Sequence, residues 1–195
     1  MERPTDVPEE LAPPADQARA NDYDSFAEGY SAENEHGFVN AYYERPAMLA
    51  LAGDVAGRRI LDAGCGSGPL SAALRERGAV VTGIDSSAGM LALARRRLGD
   101  DAGLHLADLR DPLPFDDGAF DDVVASLVLR YRKPLHAMTD AFTTAGFRLS
   151  AVSEPQPHPA ARELFPDDFS ALSASPCFLF FVLEVPSPAD GTHAA

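Results

Sequence analysis

Residues 59–68 read Arg59-Ile60-Leu61-Asp62-Ala63-Gly64-Cys65-Gly66-Ser67-Gly68, and Gly83-Ile84-Asp85 follows them. The first stretch runs an apolar strand into glycines at every second position; the second ends a strand on a carboxylate. Without a Cβ, a backbone can turn sharply and come close to a ligand. A dinucleotide loop places its third glycine one residue later and seats a pyrophosphate on the helix that follows. Here Gly68 comes early, Pro69 removes an amide donor at the helix start, and Asp62 lies two residues ahead of the glycines. A glycine loop preceded by an acid suits a cationic ligand better than a diphosphate. Asp85 is placed to accept both hydroxyls of a ribose, or else to cap a helix ahead of Ser86 and Ser87. At the end of a third strand, Asp108 and the Leu109 amide can pair with an adenine edge, with Met90 as a polarizable ring surface. The competing readings are a surface turn for Asp108-Leu109 and a core position for Met90.

These residues need strands that alternate with helices. Helices are predicted over Tyr23–Tyr30 and Ala41–Ala52, the second with Met48, Leu49 and Leu51 on an apolar side. Strands are predicted over Arg59–Ala63, Val80–Ile84, Leu104–Ala107 and Asp122–Leu129. The last is a nearly continuous apolar run that suggests burial on both faces. Between them lie a helix from Pro69 to Arg77, stopped by Gly78, and a helix capped by Ser86 or Ser87 with Met90, Leu91, Ala94 and Leu98 on one face. A helix over Leu135–Ala145 stopped by Gly146, a strand over Phe147–Ser153, a Pro-rich loop and a strand over Cys177–Val185 complete the order. The acid-rich stretch Glu163–Asp168 is expected to form a solvated loop. The fold class is α/β, a doubly wound, mostly parallel sheet with right-handed crossovers.

A length of 195 residues suits one packed domain, expected over 21–185, with disordered tails at 1–20 and 186–195. A net charge of −14 argues against nucleic acid as a partner. Arg95-Arg96-Arg97 reads as the solvated face and end of a helix. Two cysteines, Cys65 and Cys177, are too few for a disulfide framework, so a cytoplasmic setting is expected. Neither a signal peptide nor a membrane span is expected. No grouping has useful metal-ligand or Ser/His/Asp spacing.

The loop at Leu61–Gly68, the acid of Gly83-Ile84-Asp85, the Asp108-Leu109 pair and the segment Pro112–Asp121 together resemble the class I S-adenosylmethionine-dependent methyltransferases, in particular the small-molecule type. The resemblance covers residues 23–129 and implies a Rossmann-like fold with S-adenosyl-L-methionine as cofactor. It places Gly64, Gly66 and Gly68 along the methionine portion, with Asp62 beside them. It places Asp85 at the ribose, Met90 against the adenine, Asp108 and Leu109 at its amino edge, and Ser126 near the sulfonium, and it counts Ser86 among the cofactor-binding residues. Tyr23 and Tyr30 belong to a segment similar to the family's N-terminal helix, which folds over the cofactor, and Asn40, Tyr43 and Arg45 are expected at the mouth. No catalytic residue is assigned, and among the histidines His36 is the first choice for a proton acceptor.

Beyond strand four the resemblance breaks. The family's Leu-x-Pro-Gly-Gly turn, its fifth strand and its acceptor-binding insertion have no counterpart, and Leu129–Pro134 passes straight into a helix. From Pro134 the resemblance resumes, with Ala145-Gly146-Phe147 and then Glu154-Pro155, so one βα unit is expected to be deleted. An uncovered strand four invites pairing. Either the Phe147 strand or the Cys177 strand fills the place, or a second copy of the chain does, making a homodimer. The function expected is methyl transfer to a small molecule. The alternatives are an S-adenosylmethionine-binding protein that has lost catalysis, and an NAD-dependent oxidoreductase, which the glycine spacing disfavours.

Overall fold

The structure is a computed structural model and describes residue 31, residues 35–126 and residues 135–185. The predicted helix over Tyr23–Tyr30, both predicted tails and the Leu127–Leu129 end of strand four lie outside the described residues.

A four-stranded parallel sheet forms the centre, from β1 (Arg59–Ala63), β2 (Val80–Asp85), β3 (Gly103–Leu106) and β4 (Asp122–Val124), in the order β3-β2-β1-β4. Helices α1 (Arg45–Ala52), α2 (Pro69–Glu76) and α3 (Ala88–Leu98) carry its apolar cover. Leu49, Val55, Leu70 and Leu74 pack with Ile60 of β1 and Val124 of β4. Cys65, Leu91 and Ala94 pack with Leu104 of β3. Strand residues alternate between faces, so Leu61, Ala63 and Ile84 form a further cluster, covered by Ala107, Leu113, Phe115 and Phe120 from the loop after β3. Gly78 and Gly146 end their helices in the left-handed conformation, with φ of 87° at both. Ser87, not Ser86, caps α3 by accepting the Met90 amide at 3.1 Å.

The helix predicted over Ala41–Ala52 is two elements. Phe38–Glu44 is a π-helical turn and α1 begins only at Arg45. Pro46 explains the break: its ring crowds the carbonyl four residues back, that of Tyr42, and it offers no amide. The Tyr42 carbonyl instead accepts the His158 amide, while the Arg45 amide reaches back five residues to Asn40. The widened turn buries Phe38 and the consecutive residues Tyr43 and Glu44.

The second half departs further from expectation. β5 (Arg148–Ser153) and β6 (Phe180–Glu184) form an antiparallel pair of their own, and neither lies beside β4. α4 (Leu135–Thr144) packs on this pair through Phe142 and Phe181, ring centroids 5.6 Å apart. Strand four ends at Val124 within the described residues, and Val123 is 63% exposed, so it is not buried on both faces. The stretch expected as a solvated loop instead spans the end of one short helix, α5 (Ala161–Leu164), and the start of another, α6 (Pro166–Ala174). Pro166 in the first turn with Asp167 and Asp168 beside it is a helix start, since proline fits there and acids favour the positive end of the dipole. Phe165 packs on Phe38 and Tyr42, and the Tyr43 hydroxyl accepts the Cys177 amide at 3.1 Å. The chain's last described third is thereby fastened to the π turn.

Candidate functional site

Strand β1 delivers Asp62 and then turns through the glycine loop into α2. Gly66 and Gly68 have φ of 55° and 79°, in the left-handed region that a side chain disfavours. A Cβ on Gly68 would lie 3.1 Å from Leu98 Cδ1, whereas one on Gly66 would meet nothing within 4 Å. The loop is therefore packed against α3 on one side and open at Gly66.

The loop amides point inward. Those of Gly64 and Cys65 donate to the Ile84 carbonyl at 2.8 and 2.9 Å, and that of Gly68 to the Cys65 carbonyl at 2.9 Å. The Gly66 amide donates to Asp85 Oδ2 at 2.9 Å, and Asp85 Oδ1 takes the Ser87 amide at 2.9 Å. These four loop amides are thereby turned away from a diphosphate.

Charge around the loop is negative and buried. Asp62 is 2% exposed and accepts the Ser71 hydroxyl at 2.6 Å. Burial pushes its carboxyl up to about 6, against the Ser71 bond and with help from the carboxylates of Glu44 and Asp85. Glu44, 5% exposed, accepts a hydrogen bond from Ser126, and burial raises its carboxyl above the ordinary range. Among the described residues neither carboxyl sits in an ion pair. A buried acid in this position gains from a cation. Cys65 faces the other way, into the core with Leu91 and Leu104, and burial pushes its thiol up.

At the same carboxyl edge of the sheet, beyond β2, Ser86, Leu106, Ala107, Asp108, Asp111, Pro112 and Pro114 line an open cleft of about 430 Å³. The Asp108 carboxylate is gripped by the Arg110 guanidinium, with Nε 3.0 Å from each oxygen, and by the Arg110 amide at 2.9 Å. That grip lowers it to about 2. Leu109 is 40% exposed beside it.

Of the residues singled out in the sequence, Asp62, Gly64, Gly66, Gly68 and Asp85 converge at the loop. Ser86 and Asp108 line the cleft next to it. Ser126 reaches the same region through Glu44. Met90 is 4% exposed and is not among the cleft-lining residues. Tyr43, expected at the mouth, is fully buried beneath Phe178, with ring centroids 5.0 Å apart. His36 is exposed. Tyr23 and Tyr30 lie outside the described residues. Sequence reasoning missed Glu44, whose neighbours Tyr43 and Arg45 it had noted; an acid directly before Arg-Pro at a helix start is the one local signal. It also misread Arg97, which is no solvated helix end: its guanidinium binds the Ser67 carbonyl.

Residues 60–146 match the family model described as "Methyltransferase domain". A demethylmenaquinone methyltransferase of Clavibacter sepedonicus is 48% identical over 88 residues, covering 44% of this chain and 36% of that protein. The chain spans between about a third and two fifths of the length of the first curated relatives it matches. Among solved structures, an S-adenosylmethionine-dependent methyltransferase from Mesorhizobium loti aligns with a TM-score of 0.61 at 24% identity, over 71% of this chain and 95% of that one. The magnesium protoporphyrin IX methyltransferase of Synechocystis, solved with bound S-adenosylmethionine, aligns with a TM-score of 0.54 at 18% identity, over 73% and 91% of the two chains. These likenesses concern the fold.

Proposed function

We propose that the chain, whose residues 60–146 match the methyltransferase-domain model, is a class I S-adenosylmethionine-dependent methyltransferase that transfers a methyl group from S-adenosyl-L-methionine to a small-molecule acceptor. One observation carries the ligand assignment. Asp62 and Glu44 are buried carboxyls outside any ion pair among the described residues, with only Arg45 acting on Glu44 through its charge, next to a loop whose Gly64, Cys65, Gly66 and Gly68 amides are already bonded. Such a site favours a ligand with an ammonium or sulfonium over one with phosphates. Asp62, Gly64, Gly66 and Gly68 hold the amino-acid portion, and Asp85 takes the ribose hydroxyls. Ser86, Asp108 and Leu109 serve the adenosine end, and Ser126 lies toward the sulfonium, while the burial of Met90 fits the core position that competed with its adenine role.

The bound sulfonium supplies an activated methyl group. The chain's part is to align donor and acceptor and to exclude water, which is where most acceleration of such a displacement arises. An acceptor that must lose a proton also needs a base, and no residue is assigned to that task. The curated relative acts on demethylmenaquinone by its name and the Synechocystis protein on magnesium protoporphyrin IX, so the acceptor's class is proposed no more finely than a small molecule. We place the reaction in the cytoplasm, in keeping with the free thiols Cys65 and Cys177. Among the described residues no helix is long and apolar enough to cross a membrane.

A second reading, a binding protein without transferase activity, is favoured by the β5–β6 pair standing apart from β4, where an internal deletion would leave it. Calorimetry with S-adenosylmethionine and NAD in separate titrations tests the assignment. Binding of the first with methylated product supports the enzyme, binding without product supports the second reading, and preference for NAD removes both.

A further inference from the structure

The last arginine of the run Arg95–Arg97 joins three parts of the molecule. From α3, its Nε donates to the Ser67 carbonyl at 2.9 Å and its Nη1 to Glu35 Oε1 at 2.7 Å. The Arg97 side chain is 23% exposed and that of Glu35 37%, and the contact holds the Glu35 carboxyl below its ordinary range. Ser67 is itself buried, and the Ser31 hydroxyl donates to its hydroxyl at 2.8 Å. Arg45 adds a longer bond from Nη2 to the Glu35 carbonyl at 3.4 Å. One loop residue is thus fixed through its carbonyl by α3 and through its side chain by the N-terminal segment.

The peptide held this way lies between Ser67 and Gly68. Glycine at φ 79° resists rotation less than any other residue would. The Gly68 amide is turned inward to Cys65, so the orientation of this peptide sets the shape of the loop at the point where α2 begins. A planar fork with fixed donors suits such a task better than a flexible ammonium, because it binds carbonyl and carboxylate together. The adenosine end of the cleft, from Ser86 to Pro114, is touched by none of these bonds.

We propose that Arg97 is a positioning residue for the amino-acid end of the ligand, fixing the Ser67–Gly68 peptide and, through Glu35, drawing the N-terminal segment onto the glycine loop. The inference rests on the reading of the loop given under Proposed function. Its test compares two ligands that differ only in that end, S-adenosylhomocysteine and adenosine, by calorimetry on the full chain. Arg97→Gln weakens S-adenosylhomocysteine about tenfold, the scale of one charge-assisted bond, and leaves adenosine within about twofold. Arg97→Lys, which keeps the charge and loses the fork, falls between. Glu35→Gln, at a more exposed site, shifts the same ligand in the same direction and makes the test should Arg97→Gln fail to fold. Equal weakening of both ligands, or no change in either, overturns the proposal while leaving the reading of the loop intact. A wild-type chain that binds neither ligand overturns both.

Discussion

The Gly66 amide donates to Asp85 Oδ2 at 2.9 Å, so the loop leaving β1 and the acid ending β2 form one hydrogen-bonded unit. The Asp85 carboxylate shapes the loop, and we propose that it also takes the ribose hydroxyls. Asp85→Ala is expected to weaken S-adenosylhomocysteine by about 1.5–3 kcal/mol, the range for a hydrogen bond to a charged group. Asp85→Asn, which keeps one acceptor oxygen for the loop, should recover part of the loss. Unchanged affinity in the alanine variant would mean that the ribose site has been misplaced.

Asp62 makes both stability and binding depend on pH. Burial raises its carboxyl from an ordinary 3.8 to about 6, so the folded chain holds a proton that the unfolded chain has released between these values. Stability from this group is complete below about 4 and is lost as pH rises through 6. The rise from 3.8 to about 6 corresponds to about 3 kcal/mol. Glu44 is raised by burial as well and loses stability in the same direction, while Ser126 and Arg45 oppose the shift. A cationic ligand reverses the preference by favouring the ionised acid, so affinity for S-adenosylhomocysteine should climb between pH 5 and 7. Thermal melts with and without ligand check both signs, and Asp62→Asn should flatten both profiles. A ligand affinity that falls over this window would contradict the cationic site.

What was legible in the sequence is what local backbone geometry enforces. Gly66 and Gly68 occupy left-handed positions that few residues accept, and Asp85 follows a strand whose pattern is plain, so loop and acid could be placed from their own neighbours. Glu44 could not. It is buried by contact with Ser126, 82 positions away, and nothing in its own turn distinguishes it from a surface acid. Arg97 fails for the same reason: a third arginine at a helix end looks solvated until Glu35 and Ser67 are seen around it. Helix α6 is a different kind of miss. Pro166-Asp167-Asp168 carried a helix-start signal that was overlooked for its charge.

The two thiols should differ sharply in reactivity. Cys65 is buried in the core under the loop, and burial together with the carboxylates of Asp62 and Asp85 disfavours its thiolate. Cys177 is exposed. Iodoacetamide on the native chain is expected to add a single carbamidomethyl group, mapped to Cys177 by peptide mass, with both sites labelled after denaturation. Native labelling at Cys65 would mean that the loop opens far more readily than its inward-bonded amides allow.

The sheet leaves apolar surface beyond the loop's cover. Val123 of β4 and Val80 of β2 are 63% and 62% exposed, and their register with Leu61 and Arg59 of β1 puts both on the face that β1 shares with Leu61. β4 also has no outer partner strand among the described residues. An edge and a face open together invite a second copy of the chain, since pairing would satisfy backbone groups and bury the valines at once. We therefore expect a concentration-dependent dimer in sedimentation velocity. Val123→Lys should make it monomeric, because an ammonium cannot be buried there without a partner. Its affinity for S-adenosylhomocysteine should not change, since the loop, Asp62 and Asp85 depend on β1 and β2 rather than on the exposed side of β4. A wild type that stays monomeric at every concentration, or a lysine variant that dimerises as before, would place the contact elsewhere or remove it.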